Sequence, residues 1–209
     1  MPRSMPQPVI LLHGLMMRSP ALWLLARRLR RRGYQPFLFD YPTLWRGPGV
    51  AMERLALRLY PFEKEKVHVV AHSLGGLIAL ETMNRYQKLP PGRVVCLGTP
   101  LTGSSAARGL EKQGLGFLNG KSGALLRGGL PQLPANRQVG VIAGSHSVGL
   151  GRHFAAFDGV NDGTVAAWET RLPGLDDHLV VPVSHSGMVF SPLVAELTAN
   201  FLDVGVFRP

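Results

Sequence analysis

The chain has 209 residues, 45 % of them hydrophobic, and a formal net charge of +10. That length supports a single domain, residues 1–209, with a full core, and no apolar run is long enough to span a bilayer. Its one cysteine, Cys96, excludes an intrachain disulfide and admits a reducing compartment.

The charge is unevenly spread. Residues 1–60 hold ten Arg and two acids, a balance of +8, whereas residues 140–209 hold three Arg and seven acids, a balance of −4. No basic region followed by an apolar stretch precedes the first strand, so no secretory signal is read and a cytoplasmic location is expected.

Val9–Leu12 is a short continuous apolar run, as in a strand buried on both faces. Ser19 and Pro20 read as N-cap and first position of a helix that Gly33 closes, with Leu22, Leu25, Ala26 and Leu29 on its apolar face. Its end carries Arg27, Arg28, Arg30, Arg31 and Arg32. Cations are favoured there by the helix dipole, which explains the cluster as a solvated face. The same charge would also suit peripheral contact with an anionic membrane, at the inner face for a cytoplasmic protein; nucleic acid is not expected as a partner.

Gln35–Phe39 reads as the next strand, Gly49–Tyr60 as a helix and Lys66–Ala71 as a third strand. Leu74–Tyr86 is a mostly apolar helix, and Arg93–Leu97 a fourth strand ending at Gly98-Thr99-Pro100. Regularity then fades over Leu101–Asn136, which is rich in Gly and Ser with scattered Leu. Val139–Ala143 resumes as a strand, Gly144–Gly163 is irregular again, and His178–Val183 is a last strand. Ser191 and Pro192 open a final helix through Leu202. The alternation predicts an α/β fold of about six mostly parallel strands with helices on both faces.

The third strand runs directly into Ala71-His72-Ser73-Leu74-Gly75-Gly76 and then a helix. Strand, serine between small residues, and helix form a nucleophile elbow, the turn that lifts a serine hydroxyl clear of its backbone. Ala71 and Gly75 are expected to be small because strand and helix backbones nearly touch there. A serine nucleophile needs a base, and the base needs a carboxylate to orient it. His185 follows the last strand, and Asp162, in Asn161-Asp162-Gly163-Thr164, follows the fifth strand after a long excursion. Asp158 is the main rival; Asp176 and Asp177 fall at the opposite edge of the sheet. An Asp-Gly turn in which Asp162 merely bonds its own backbone is the bland alternative.

Oxyanion donors are expected from the backbone N–H of Leu74, at a helix start, and of Leu15 in the loop after the first strand, with Met16 as the second choice there. Substrate contacts are expected from Leu15, Met16, Thr99, Leu115 and Phe117. His13 and His72 are read as shaping local turns. His146 and His153 lack an obvious third ligand, so no metal is expected.

These motifs, with Leu12-His13-Gly14, Gly98-Thr99-Pro100 and Ser184-His185-Ser186-Gly187, resemble the α/β-hydrolase superfamily over nearly the whole chain. The likeness is closest to small lid-poor bacterial lipases and esterases and to the GPI inositol-deacylase-like group. The resemblance implies a minimal α/β-hydrolase fold and serine hydrolysis of lipidic or hydrophobic acyl esters through an acyl-enzyme, without cofactor. Residues 101–136 would be a pocket wall or lid-like insertion, contributing Leu110, Leu115, Phe117, Leu118, Leu125 and Leu126. An acyltransferase or thioesterase would use the same residues; a non-catalytic lipid- or protein-binding domain would not need them.

Overall fold

The computed structural model describes residues 6–62, 65–86, 88–149 and 157–208. Six strands, β1 (Gln7–Leu12), β2 (Tyr34–Phe39), β3 (His68–His72), β4 (Val94–Leu97), β5 (Val139–Gly144) and β6 (Asp177–Val181), form one sheet. The order is β2-β1-β3-β4-β5-β6, and every pairing is parallel. The central strands are buried along their whole length, which is why they read as continuous apolar runs. β6, expected to reach Val183, stops at Val181. Val183 N–H donates to the Val181 carbonyl at 2.8 Å, a tight local turn that ends the regular strand.

Side-chain alternation divides the core. Val9, Leu11, Val70, Val95, Leu97 and Ile142 pack on one face with α1 (Trp23–Arg31) and α6 (Pro192–Val204). Ile10, Leu12, Val69, Ala71, Cys96 and Val141 pack on the other with α2 (Pro48–Leu59) and α3 (Leu74–Arg85). Crossover connections cover both faces and leave all six strands ending at one edge of the sheet, where ligands bind in open α/β folds.

Two local expectations need correction. Ser19 does not cap α1: it begins a 3-10 turn, Ser19–Leu22, and its N–H donates to Asp40 Oδ1 at 2.9 Å. The carboxylate that caps this turn comes from the end of β2, which no local pattern announces. Residues 101–136 are not irregular. They form α4 (Ser105–Lys112), a 3-10 stretch Gly116–Ser122 and α5 (Gly123–Gly128).

The arginine cluster on α1 is partly spent inside the molecule. Arg28 Nη1 donates to the Phe190 carbonyl at 2.6 Å, Arg32 pairs with Glu196 at 3.4 Å, and the Arg27 guanidinium lies 5.5 Å over the Trp23 ring. The first two tie α1 to the turn before α6 and to α6 itself; the third stays within α1. Among the described residues no helix is long and apolar enough to cross a membrane.

Candidate active site

Ser73 sits between β3 and α3 at φ 54°, ψ −123°, a region L-residues avoid at a cost of about 1–3 kcal/mol. Tertiary contacts hold it there. Its N–H donates to the Leu97 carbonyl at 2.8 Å, and its carbonyl accepts from Gly76 N–H and from the Thr99 hydroxyl, both at 3.0 Å. The Ser73 hydroxyl itself has no partner among the described residues and opens on a cavity of about 460 Å³. Gly75 is required where α3 passes close to the end of a strand. A side chain there would meet the His13 carbonyl at 2.7 Å and the Leu12 side chain at 3.0 Å. The nearest atoms belong to the end of β1 and the residue after it.

His185 follows β6 and lines the same cavity. Its Nδ1 lies 2.8 Å from Asp162 Oδ2, and its backbone N–H donates to the Asp162 carbonyl at 2.9 Å. A carboxylate only accepts, so Nδ1 carries the proton, and in the neutral ring Nε2 is then the acceptor. The other carboxylate oxygen, Oδ1, accepts from Thr164 N–H at 3.0 Å and Val165 N–H at 2.7 Å. The local turn and the contact with His185 therefore coexist on one side chain. Gly163, at φ 89°, makes the turn, and any side chain on it would overlap Val148. Gly98, at φ 58°, leaves room for the pair: a Cβ there would sit 3.0 Å from His185 Nδ1 and 3.1 Å from Asp162 Oδ2. Asp158 is exposed. Asp176 and Asp177 accept from Val139 and Phe207 N–H at the opposite edge.

The loop after β1 is clamped by residues that the sequence did not flag. Tyr41 O–H donates to the His13 carbonyl at 2.6 Å, and Tyr41 N–H donates to His13 Nε2 at 3.3 Å. The two rings stack at 4.4 Å. Burial pushes the His13 pKa down, keeping the ring neutral and able to accept. Thr43 Oγ1 accepts from Met16 N–H at 3.2 Å, holding Met16 at φ 57°. That bond occupies the Met16 N–H. The N–H groups of Leu15 and Leu74 have no acceptor among the described residues. Behind the loop, Arg18 grips Asp40 through three contacts of 2.6–3.1 Å and lowers its carboxyl to about 2.

His72 does more than shape a turn. Its Nε2–H donates to the His185 carbonyl at 3.0 Å, and the two rings lie 4.7 Å apart. Burial, then the neighbouring His185, lowers its pKa to about 3, so the ring is a neutral strut beside His185.

Leu15 and Met16 line the cavity. Thr99 does not: it is fully buried behind Ser73, bonded to the Ser73 carbonyl and packed against Gly76. Leu115 and Phe117 are also outside the lining, and Phe117 is 72 % exposed. Their segment does supply a wall through Leu110, Leu118 and Leu126, whereas Leu125 packs on the core. Glu169 anchors this wall. Its buried carboxylate accepts from Ser105 N–H at the start of α4 and from Ala166 N–H, and it lies 3.5 Å from Arg108. His146 is exposed, and His153 lies outside the described residues. Among the described residues no three His, Cys, Asp or Glu side chains form a cluster able to hold a metal.

A family model described as the alpha/beta hydrolase family matches residues 9–204. None of the curated proteins matches. The fold is similar to that of Bacillus licheniformis lipase BlEst2 in mature form, at TM-score 0.77 and 21 % identity, covering 99 % of this chain and 94 % of that one. It is similar to the metagenomic carboxyl esterase MGS0156 at TM-score 0.67 and 18 % identity, covering 89 % and 66 %. Phospholipase PlaB from Legionella pneumophila aligns at TM-score 0.66 and 16 % identity, covering 98 % and 58 %.

Proposed function

The chain belongs to the alpha/beta hydrolase family, and on that footing we propose that it is a serine carboxylester hydrolase acting on hydrophobic acyl esters. The observation that carries this reading is the 2.8 Å contact between His185 Nδ1 and Asp162 Oδ2 beside a strained Ser73 opening on the same cavity. His185 Nε2 takes the proton of the Ser73 hydroxyl as Oγ attacks the ester carbonyl. Asp162 stabilises the imidazolium without taking its proton. The oxyanion of the tetrahedral intermediate is held by the N–H groups of Leu15 and Leu74, each worth roughly 3 kcal/mol. His185 then gives its proton to the leaving alcohol, and the acyl group stays on Ser73 until His185 activates a water. The apolar wall from Ala106 to Leu126 and the lipase, esterase and phospholipase names of fold neighbours support an ester with a hydrophobic acyl part.

The test is a fluorophosphonate probe together with p-nitrophenyl esters of increasing chain length. Wild type should label and hydrolyse. Ser73→Ala should lose the label and on the order of 10⁴-fold or more of the turnover, with an unchanged circular dichroism spectrum. A folded wild type that neither labels nor hydrolyses would refute the reading and favour a binding domain.

A further inference from the structure

On the side of residues 101–136 the cavity is apolar, yet two polar side chains interrupt it: Ser104 and Asn119. Both are almost wholly buried, at 5 % and 1 % exposed. Both are also bonded to the same backbone unit. Asn119 Nδ2 donates to the Ala107 carbonyl at 3.1 Å. A carbonyl only accepts, so this bond fixes which way round the amide sits and turns its oxygen away from Ala107. Asn119 Oδ1 has no donor among the described residues. Ser104 Oγ, as N-cap of α4, accepts from Ala107 N–H at 3.2 Å. Its hydroxyl hydrogen has no acceptor among the described residues.

The wall around Ala107 therefore presents one unused acceptor and one unused donor in otherwise apolar surroundings. A plain alkyl chain lying there would strip water from both and replace it with nothing, a penalty that buried polar groups do not escape. A hydroxyl group can donate its O–H to Asn119 Oδ1 or accept from Ser104 through its oxygen. A primary carboxamide can do the same with its N–H and its carbonyl.

We propose that Ser104 and Asn119 form a polar subsite that receives a hydroxyl or carboxamide group on the acyl chain, so that the preferred esters are functionalised rather than plain fatty acyl ones. The proposal rests on the esterase reading above. It makes the pocket selective by the stronger of the two available routes. A site built to hydrogen-bond a substrate group rejects the analogue lacking it far better than an apolar pocket rejects an extra methylene.

The experiment compares p-nitrophenyl ω-hydroxyalkanoates, from hexanoate to decanoate, with alkanoates of the same heavy-atom count, by kcat/KM. Wild type should prefer the hydroxylated ester by about 10-fold or more at one chain length and not at the others. In Ser104→Gly, which keeps a residue well tolerated at N-caps, the preference should collapse toward unity. Asn119→Leu should do the same, with thermal melting reporting its folding. The wild-type comparison stands even if a variant fails to fold. Brisk hydrolysis of alkanoates, equal to or better than the hydroxylated esters at every length, overturns the subsite and leaves the esterase reading intact. Absence of hydrolysis in both sets, with no fluorophosphonate labelling, overturns the two together.

Discussion

The cavity has a polar side, where β1, β3, β5 and β6 end, and an apolar side, built by residues 101–136, and the two are held by different means. On the polar side each group is fixed by backbone bonds of its own turn and its neighbours: Ser73 by Leu97 and Thr99, Asp162 by Thr164 and Val165, His185 by Asp162. On the apolar side α4 leans on one buried carboxylate, Glu169, supplied from the segment after Asp162, and Arg108 of α4 donates to the Arg127 carbonyl of α5. Placement of reacting atoms has to hold within a fraction of an ångström, so the first design suits chemistry. The second leaves a wall whose contacts with substrate can vary without disturbing the turn beneath Ser73.

The largest effect expected from breaking the polar side alone is at Asp162, the proposed acid. Asp162→Asn should lower kcat by roughly 10³–10⁴-fold, because an amide can stabilise neither the imidazolium nor the required tautomer. Asp158→Asn, at an exposed position, should change turnover little. Steady-state kinetics on both purified proteins decides the assignment, and the reverse ordering would move the acid to Asp158.

Next is the clamp on the loop after β1. Thr43→Val removes the acceptor that holds Met16 at φ 57°. The freed loop should relax and carry the Leu15 N–H away from the place proposed for the oxyanion. A loss of roughly 10-fold in kcat is expected, with KM nearly constant, below the roughly 10²–10³-fold of deleting a donor outright. Thr43→Ser should restore most of it. An equal rise in KM at constant kcat would instead place Thr43 in ground-state binding.

This clamp also shows where the sequence stops being legible. The strands could be read because parallel strands buried on both faces are unbroken apolar runs, and the elbow because strand, serine, small residues and helix are contiguous. Tyr41 and Thr43 could not, because they act on His13 and Met16 from 28 and 27 residues away. Thr99 looked available to substrate from its place after β4, but the turn at Gly98 directs it beneath the Ser73 carbonyl. The helices of residues 101–136 were hidden by their glycines and their brevity. α4 has 8 residues and α5 has 6, too few for periodicity to speak or for helix propensity to sustain them alone. α4 is held by Glu169, and α5 by Arg108 and by core contacts of Leu126, partners no local pattern reveals. Phe117 illustrates the consequence: Leu118 beside it lines the cavity while Phe117 faces solvent.

Breaking the apolar side should be milder for chemistry. Glu169→Gln keeps one acceptor but turns an amide N–H₂ toward either Ser105 N–H or Ala166 N–H, leaving a buried donor unpaired. Such a group costs about 1–3 kcal/mol, which for a domain of this size lowers Tm by several degrees. Hydrolysis of short esters should fall only a few-fold, and that of long esters more, since the wall meets only the longer chains. A loss as large for acetate as for decanoate would show that the wall and the acid loop act as one unit.

The smallest effect separates the two sides by acid. His72 stays neutral in the folded protein down to about pH 3, and His68, buried under β1 and β2, down to about pH 4, in both cases because burial penalises the charged ring. In the unfolded chain the same rings take up protons near pH 6.5. Below that value the unfolded state binds more protons, so it gains as pH falls. The stability these rings contribute is fully present above about pH 6.5 and is lost progressively toward their folded values. Tm should therefore be flat near neutrality and decline by a few degrees or more as pH drops from about 6.5 to 4. His72→Gln places an amide N–H where Nε2 stood, so it can still donate to the His185 carbonyl, but it cannot titrate. Its Tm should be lower than wild type near neutrality, and its decline toward pH 4 shallower, so that the two curves converge. His185, Asp162 and His13 still surround the position in the variant, so a difference in slope isolates the ring itself. Parallel curves would mean that the acid sensitivity resides elsewhere than on the side of the cavity that carries the proposed chemistry.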